Sequence, residues 1–264
     1  MRLQLTPDPI PLAAAIDAFD ERYHRDYLDM RPHARAYLES PRYASVLVPW
    51  LQPVLRCWGA ERRRAPRCRP MHAAAEALAD PVLHDMLRRL AASRTFLAMQ
   101  PEPGCGRRRL AAGSPFATAA HFDQCLLAAL RKLAAGLFYG ATNVTYPMKV
   151  LLLITGLMPA LDGRVRGGMA TAGLSGVGAT SLPLPDRECA NARKLCMLPF
   201  LVAECAARNG ALLDAAIAIS HYPQLAGEYG RVFDVLLFMQ HVNAPAAPIV
   251  RYVEDGTAQP WYRG

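Results

Sequence analysis

Thr145-Tyr-Pro-Met-Lys-Val-Leu-Leu-Leu-Ile-Thr-Gly156 is the stretch on which the fold turns. Pro147 suits a first helical turn, where its missing N–H is one that a helix start leaves unpaired. Gly156 suits the end, because a helix often closes on a left-handed residue that glycine adopts without strain. Between Met148 and Thr155 the only charge is Lys149. A helix with no polar face must be covered on all sides, so the segment predicts a short central helix. It is not a membrane span. Across the wider apolar region 133–161, Asn143, Pro147, Lys149, Gly156 and Pro159 leave pieces shorter than the roughly 20 apolar residues that a span needs.

Working outward, apolar residues recur at steps of three and four. Leu12, Ile16, Phe19, Tyr23 and Tyr27 define a helix over about 11–30, which Pro32 is expected to end. Residues 43–58 are apolar, with Pro49 and Pro53 expected to kink or break them. Asp80-Pro81 signals a helix start. Ser114-Pro115 signals another, running to about 138. Downstream, helices are expected over 164–172, 186–208 (kinked at Pro199, stopped by Asn209-Gly210), 211–219 and 228–240, with at most a short strand near 249–253. The class is all-α: an irregular multi-helix domain with long basic loops and an extended C-terminal tail. The divisions are 1–113, a basic helical region; 114–242, a helical core; and 243–264, the tail, with 1–242 readable as one continuous domain.

The formal net charge is +8, and residues 1–132 hold 20 basic against 13 acidic side chains, so the first half supplies nearly all of the positive field. Such a field favours an anionic partner, nucleic acid or an acidic protein. Only Lys132, Lys149 and Lys194 are lysines, and arginine and alanine enrichment is also what a GC-rich bacterial genome produces. The positive residues cluster in two loops. One carries Arg62, Arg63, Arg64, Arg67 and Arg69; the other carries Arg107, Arg108 and Arg109.

Seven cysteines without C-x-x-C spacing read as buried reduced thiols in a reducing cytoplasm, not as a zinc site. The N-terminus, interrupted by Pro7, Pro9, Pro11 and Asp17, does not read as a signal peptide. The seven histidines have no metal-ligand spacing. Gly173-Leu-Ser-Gly-Val-Gly-Ala-Thr180 has the glycines of a phosphate-binding loop, but Ala179 stands where the lysine is needed. Ser175 lacks the second glycine of a nucleophile elbow, since residue 177 is valine. No cofactor site is expected, no membrane association either, and a homo-oligomer is compatible with the apolar helices.

Lys149 inside an apolar helix is costly to bury without an anion. Asp162, thirteen residues on, is one candidate partner; Asp234, in Glu228-Tyr-Gly-Arg-Val-Phe-Asp234, is another, although Arg231 stands three residues before it. The order apolar helix, Gly156, Pro159-x-x-Asp162, Arg164-Val165-Arg166, helix, Gly173-Leu174 resembles the segment after the hairpin in helix-hairpin-helix DNA glycosylases. The resemblance covers residues 148–174. It implies that Asp162 assists base excision and that Val165 and Arg166 lie near the DNA backbone. The family's Leu-Pro-Gly-x-Gly hairpin is replaced here by Gly140-Ala-Thr-Asn-Val-Thr-Tyr-Pro147, and Lys149 stands later in the helix than the family's lysine nucleophile. The expected site is therefore Asp162 and Lys149 as catalytic groups, with Arg62, Arg63, Arg64, Arg67, Arg107, Arg108, Arg109, Arg164 and Arg166 on nucleic acid. The alternative is a non-enzymatic interaction or scaffold protein.

Overall fold

The structure, a computed structural model, describes residues 2–100, 107–140, 142–174, 190–245 and 247–253, without the side chains of residues 190, 191 and 193. The apolar segment is α7 (Thr145–Thr155), and every residue of it except Tyr146 is buried. Gly156 ends it with φ +64°. Four helices pack against it: α2 (Glu21–Glu39), α3 (Ala44–Cys57), α5 (Pro81–Ala92) and α6 (Ala119–Leu137). Around this centre stand α1 (Pro9–Ala18), α4 (Met71–Ala79), α8 (Gly163–Thr171), α9 (Ala190–Ile219) and α10 (Tyr229–Asn243). One continuous cluster of buried side chains runs from Leu3 to Val250 and joins all of them.

The class is all-α, as the helical periodicities require. The sheet content among the described residues is two antiparallel pairs. β1 (Arg2–Leu5) pairs with β4 (Val250–Val253) in the register Leu3↔Tyr252, tying the two ends of the described chain together. β2 (Leu97–Gln100) pairs with β3 (Arg107–Leu110), so Arg107, Arg108 and Arg109 lie on a strand and not in a loop. The rest of the tail, 254–264, lies outside the described residues, as do Ser175–Thr180 of the glycine-rich loop.

Proline did not act as the sequence suggested. Pro32 lies inside α2, which runs on to Glu39. Burial of Tyr27, Met30, Ala34 and Tyr37 on one face outweighs the roughly 3 kcal/mol that an interior proline costs. The chain breaks earlier, at Asp20, whose Oδ1 accepts the Arg22 amide at 2.9 Å and caps α2. Pro49 and Pro53 stand four apart on the exposed face of a continuous α3. The carbonyls they leave unpaired face water, which makes the helix tolerable. Pro199 is likewise inside α9; the helix deforms at Asn209 instead (φ −116°, ψ 21°). There the Asn209 side-chain amide donates to the Cys205 carbonyl at 2.8 Å, one turn back along the helix. At Ser114-Pro115 the helix starts later than expected, at Ala119, because Thr118 caps it through the His121 amide at 3.2 Å.

Candidate active site

The return from α7 positions the site. After Gly156 the chain turns back along α7, and the Thr145 hydroxyl donates to the Leu161 carbonyl at 2.9 Å. Gly230 makes the approach possible, since a Cβ there would lie 2.2 Å from the Gly156 carbonyl oxygen. α10 therefore packs directly on the turn, and Asp234 on it accepts the Ala160 amide at 2.9 Å. Asp162 then caps α8, its Oδ1 accepting the amides of Arg164 (3.0 Å) and Val165 (2.9 Å). The sequence order "Pro159 to Asp162, then helix" is thus an N-cap geometry.

These elements enclose a cavity of about 470 Å³, within the range of small-molecule pockets. Phe19, Tyr23, Trp58 and Phe238 supply aromatic walls, and Lys149, Asp162, Arg62 and Arg164 also line it. Asp162 is part-exposed and lines the cavity beside the exposed Gly163 and Arg164. Trp58 is held in place by its indole N–H, which donates to Asp26 at 3.0 Å.

Lys149 makes no ion pair with Asp162 or with Asp234. Its ammonium donates to the Trp58 carbonyl at 2.5 Å and stands 5.5 Å from the centre of the Tyr146 ring. Burial pushes its pKa down, against the fields of Asp162 and Asp234, which push it up. Asp234 belongs to Arg231, at 2.7 Å, the i, i+3 pair expected from sequence. Both are buried, and burial pushes the Asp234 carboxyl up to about 6 in spite of Arg231. The Arg231 guanidinium lies 4.9 Å from the centres of both the Phe19 and Trp58 rings, and its Nε has no hydrogen-bond partner.

Because the lysine's charge is opposed by burial and met only by a carbonyl, Lys149→Met should leave the fold as stable as wild type or up to about 2 kcal/mol more stable at pH 7. The wild-type protein binds fewer protons at this site than its unfolded chain does. Its stability therefore rises as pH climbs toward the ordinary lysine value of 10.5. In the variant that rise should be missing from urea denaturation measured between pH 7 and pH 10. A loss of more than about 1 kcal/mol at pH 7 would instead make Lys149 a structural residue.

The expected arginines divide between two places. Arg62, Arg63, Arg64 and Arg67 are exposed on the loop between α3 and α4, which begins at Trp58 and carries Arg62 into the cavity lining. Arg164 lies over the Phe238 ring at 5.4 Å. Arg166 turns back, its Nε donating to the Asp162 carbonyl at 3.3 Å. Arg107, Arg108 and Arg109 are elsewhere. Arg108 is half-buried against Phe200 and chelates Asp123, with one bond at 2.8 Å, near the start of α6. Arg69 sits at the other end of α6, its amide donating to the Leu137 carbonyl at 2.9 Å. Fourteen helical residues separate Asp123 from Leu137, about 21 Å along the axis. The second arginine cluster is therefore remote from Arg69, and none of its members lines the cavity.

Sequence reading missed the aromatic walls. Phe19 and Tyr23 were visible only as members of a core-facing stripe, and Trp58 only as the end of an apolar run. The one signal was position: Trp58 directly precedes the positively charged loop. Among the described residues no three His, Cys, Asp or Glu side chains are grouped to hold a metal ion. Cys57, Cys68, Cys125 and Cys205 are free thiols, and burial pushes Cys205 up to about 12. His24 and His84 are buried and bonded through Nε2 to the carbonyls of Ile16 (2.9 Å) and Tyr37 (2.8 Å), which places the proton on that nitrogen. Set against known proteins, the chain matches no family model, no curated protein and no solved structure.

Proposed function

We propose that this protein binds a nucleic-acid strand and takes one nucleobase into the aromatic cavity, where Asp162 and Lys149 act on its glycosidic bond. The observation that carries the reading is the convergence of Lys149, Asp162, Arg62 and Arg164 on one open, aromatic-walled cavity. The aromatic rings and the guanidinium groups of Arg231 and Arg164 that lie over them give flat walls suited to a base, and arginines at the mouth suit the phosphates on either side of it. The likeness of residues 148–174 to helix-hairpin-helix DNA glycosylases supports the same assignment of Asp162.

In this chemistry the C1′–N bond breaks and its electron pair departs on the base. The Asp162 carboxylate stabilises the positive charge left on the sugar and takes a proton from the water that adds at C1′. Lys149, whose pKa burial lowers, donates a proton to the departing base. The walls hold the base and exclude bulk water, strengthening both electrostatic effects.

Asp162→Asn separates chemistry from structure, because asparagine caps a helix as well as aspartate does. With labelled oligonucleotides carrying uracil, alkylated or oxidised bases, the wild type should leave alkali-labile sites. The variant should bind equally well and react about 100-fold or more slowly. Binding should weaken steeply with salt, since each neutralised phosphate releases counterions. Full activity in the variant, or no binding of any oligonucleotide by the wild type, would sink the reading.

A further inference from the structure

Tyr139 presents an aromatic ring to solvent beside the arginine loop, and the core does not require it there. The residue is 50% exposed, whereas its neighbour Phe138 is completely buried. It is nevertheless held firmly. Its amide donates to the Arg67 carbonyl at 2.9 Å, and Cys68 and Phe138 form an antiparallel bridge beside it. The Arg69 guanidinium lies 5.1 Å from the centre of the Tyr139 ring and is itself fixed, with Nε donating to the Phe138 carbonyl at 3.2 Å. Gly140, with φ +75°, turns the chain away immediately afterwards.

The neighbouring Phe138 connects this segment to the cavity residue Lys149 through Tyr146. That side chain packs on Phe138 at 5.9 Å, lies 5.5 Å from the Lys149 nitrogen, and donates to the Gly59 carbonyl at 3.0 Å. One loop thus carries Trp58 and Arg62 at the cavity and Arg67 and Arg69 at Tyr139. The only acid in that loop, Glu61, is occupied by Arg56 at 3.0 Å. A fixed half-open ring beside uncompensated arginines is complementary to a stacked base with its phosphate.

We infer that Tyr139, with Arg67 and Arg69, forms a stacking platform for a nucleobase flanking the one in the cavity, so that the protein prefers an unpaired strand to an intact duplex. The inference rests on the nucleic-acid reading of the cavity. A base can lie on the tyrosine only after it has left its own stack and partner, which an unpaired strand allows at little cost.

The test is fluorescence anisotropy with a labelled 12-nucleotide oligothymidylate and a duplex of the same length, at one fixed salt concentration. Wild type should bind the single strand more tightly than the duplex. Tyr139→Ala should lose about 5- to 150-fold in single-strand affinity, the range that one stacked base contributes, with its salt dependence unchanged. Tyr139→Phe should retain the affinity, since the ring and not the hydroxyl carries the contact. Arg67→Gln should instead lower the salt slope by about 0.7, the share of one phosphate on a single strand. If the wild type binds the oligothymidylate and Tyr139→Ala binds it equally well, or if duplex is preferred, the platform is wrong while the cavity reading stands. If the wild type binds neither, both fall together.

Discussion

Replacing Glu228 with glutamine is expected to destabilise the protein by about 3–5 kcal/mol, the usual consequence of removing one partner from a buried ion pair. Its carboxylate side chain is 4% exposed and carries four donors. Tyr27 donates to it at 2.9 Å, Arg31 at 3.1 Å, Arg35 at 3.0 Å and Arg94 at 3.2 Å. Arg31 is itself 5% exposed and also donates to the Leu153 (3.3 Å) and Ile154 (2.8 Å) carbonyls at the end of α7. One carboxylate therefore ties α2, the end of α7 and the start of α10 together. Glutamine keeps the shape but removes the charge and turns an N–H group toward guanidinium donors. Burial alone would raise the pKa of Glu228, but the fields of Arg31 and Arg94 and the bonds from Arg35 and Tyr27 hold it below the ordinary glutamate value of 4.5. A lowered carboxyl contributes stability above the unfolded value and loses it as pH falls through the folded one. Urea denaturation of the wild type should thus weaken below about pH 4.5, and the glutamine variant should lack this component. A variant within 1 kcal/mol of wild type at pH 7 would show that the surrounding arginines find other partners.

Gly168→Ala is expected to prevent α8 from docking, at a cost of at least about 3 kcal/mol. In the interior of a helix alanine ordinarily gains about 1 kcal/mol over glycine. Here its Cβ would lie 1.7 Å from the Leu237 carbonyl oxygen and 2.6 Å from the carbonyl carbon. Both are backbone atoms of α10 and cannot rotate away as a side chain can. The Gly168 carbonyl also accepts the Gln240 amide at 3.0 Å, while the Gln240 oxygen accepts the Val250 amide at 2.7 Å, so displacing α8 disturbs β4 as well. Because Asp162 is positioned by capping α8, the cavity should lose its carboxylate geometry together with stability. Gly163→Ala is the control. Its Cβ would meet nothing nearer than the end of Arg166 at 3.9 Å, and φ there is not in the left-handed region. It should be neutral or stabilising by up to about 1 kcal/mol. Thermal unfolding of the two variants side by side checks the contrast; equal melting temperatures would mean that α8 and α10 can separate without penalty.

Much of the helical framework was legible because local chemistry writes it. Asp80-Pro81 reads as a start, and the Val82 amide does donate to Asp80 at 2.9 Å. Gly156 reads as an end and adopts the required conformation. The prolines were misleading because their cost depends on the face they occupy. Pro49 and Pro53 point to water, and Pro32 sits in a helix whose buried face overrides it. The position of Arg108 could not be read from its charge. Nothing local distinguishes an arginine that chelates Asp123 from Arg62, which lines the cavity.

Legible from the residues alone were a helical chain built around one apolar segment, a lysine within that segment in need of company, and an aspartate thirteen residues on as one candidate partner. These follow from periodicity, caps and the cost of burying charge, all of which act over a few residues. Long-range packing alone settled that the lysine meets a carbonyl and not a carboxylate, and that four aromatic rings from three separate parts of the chain close around Lys149 and Asp162. Those choices depend on which backbones can touch. Gly168 against Leu237 and Gly230 against Gly156 bring α10 close enough to complete the cavity, and such long-range contacts leave no periodic mark in the sequence.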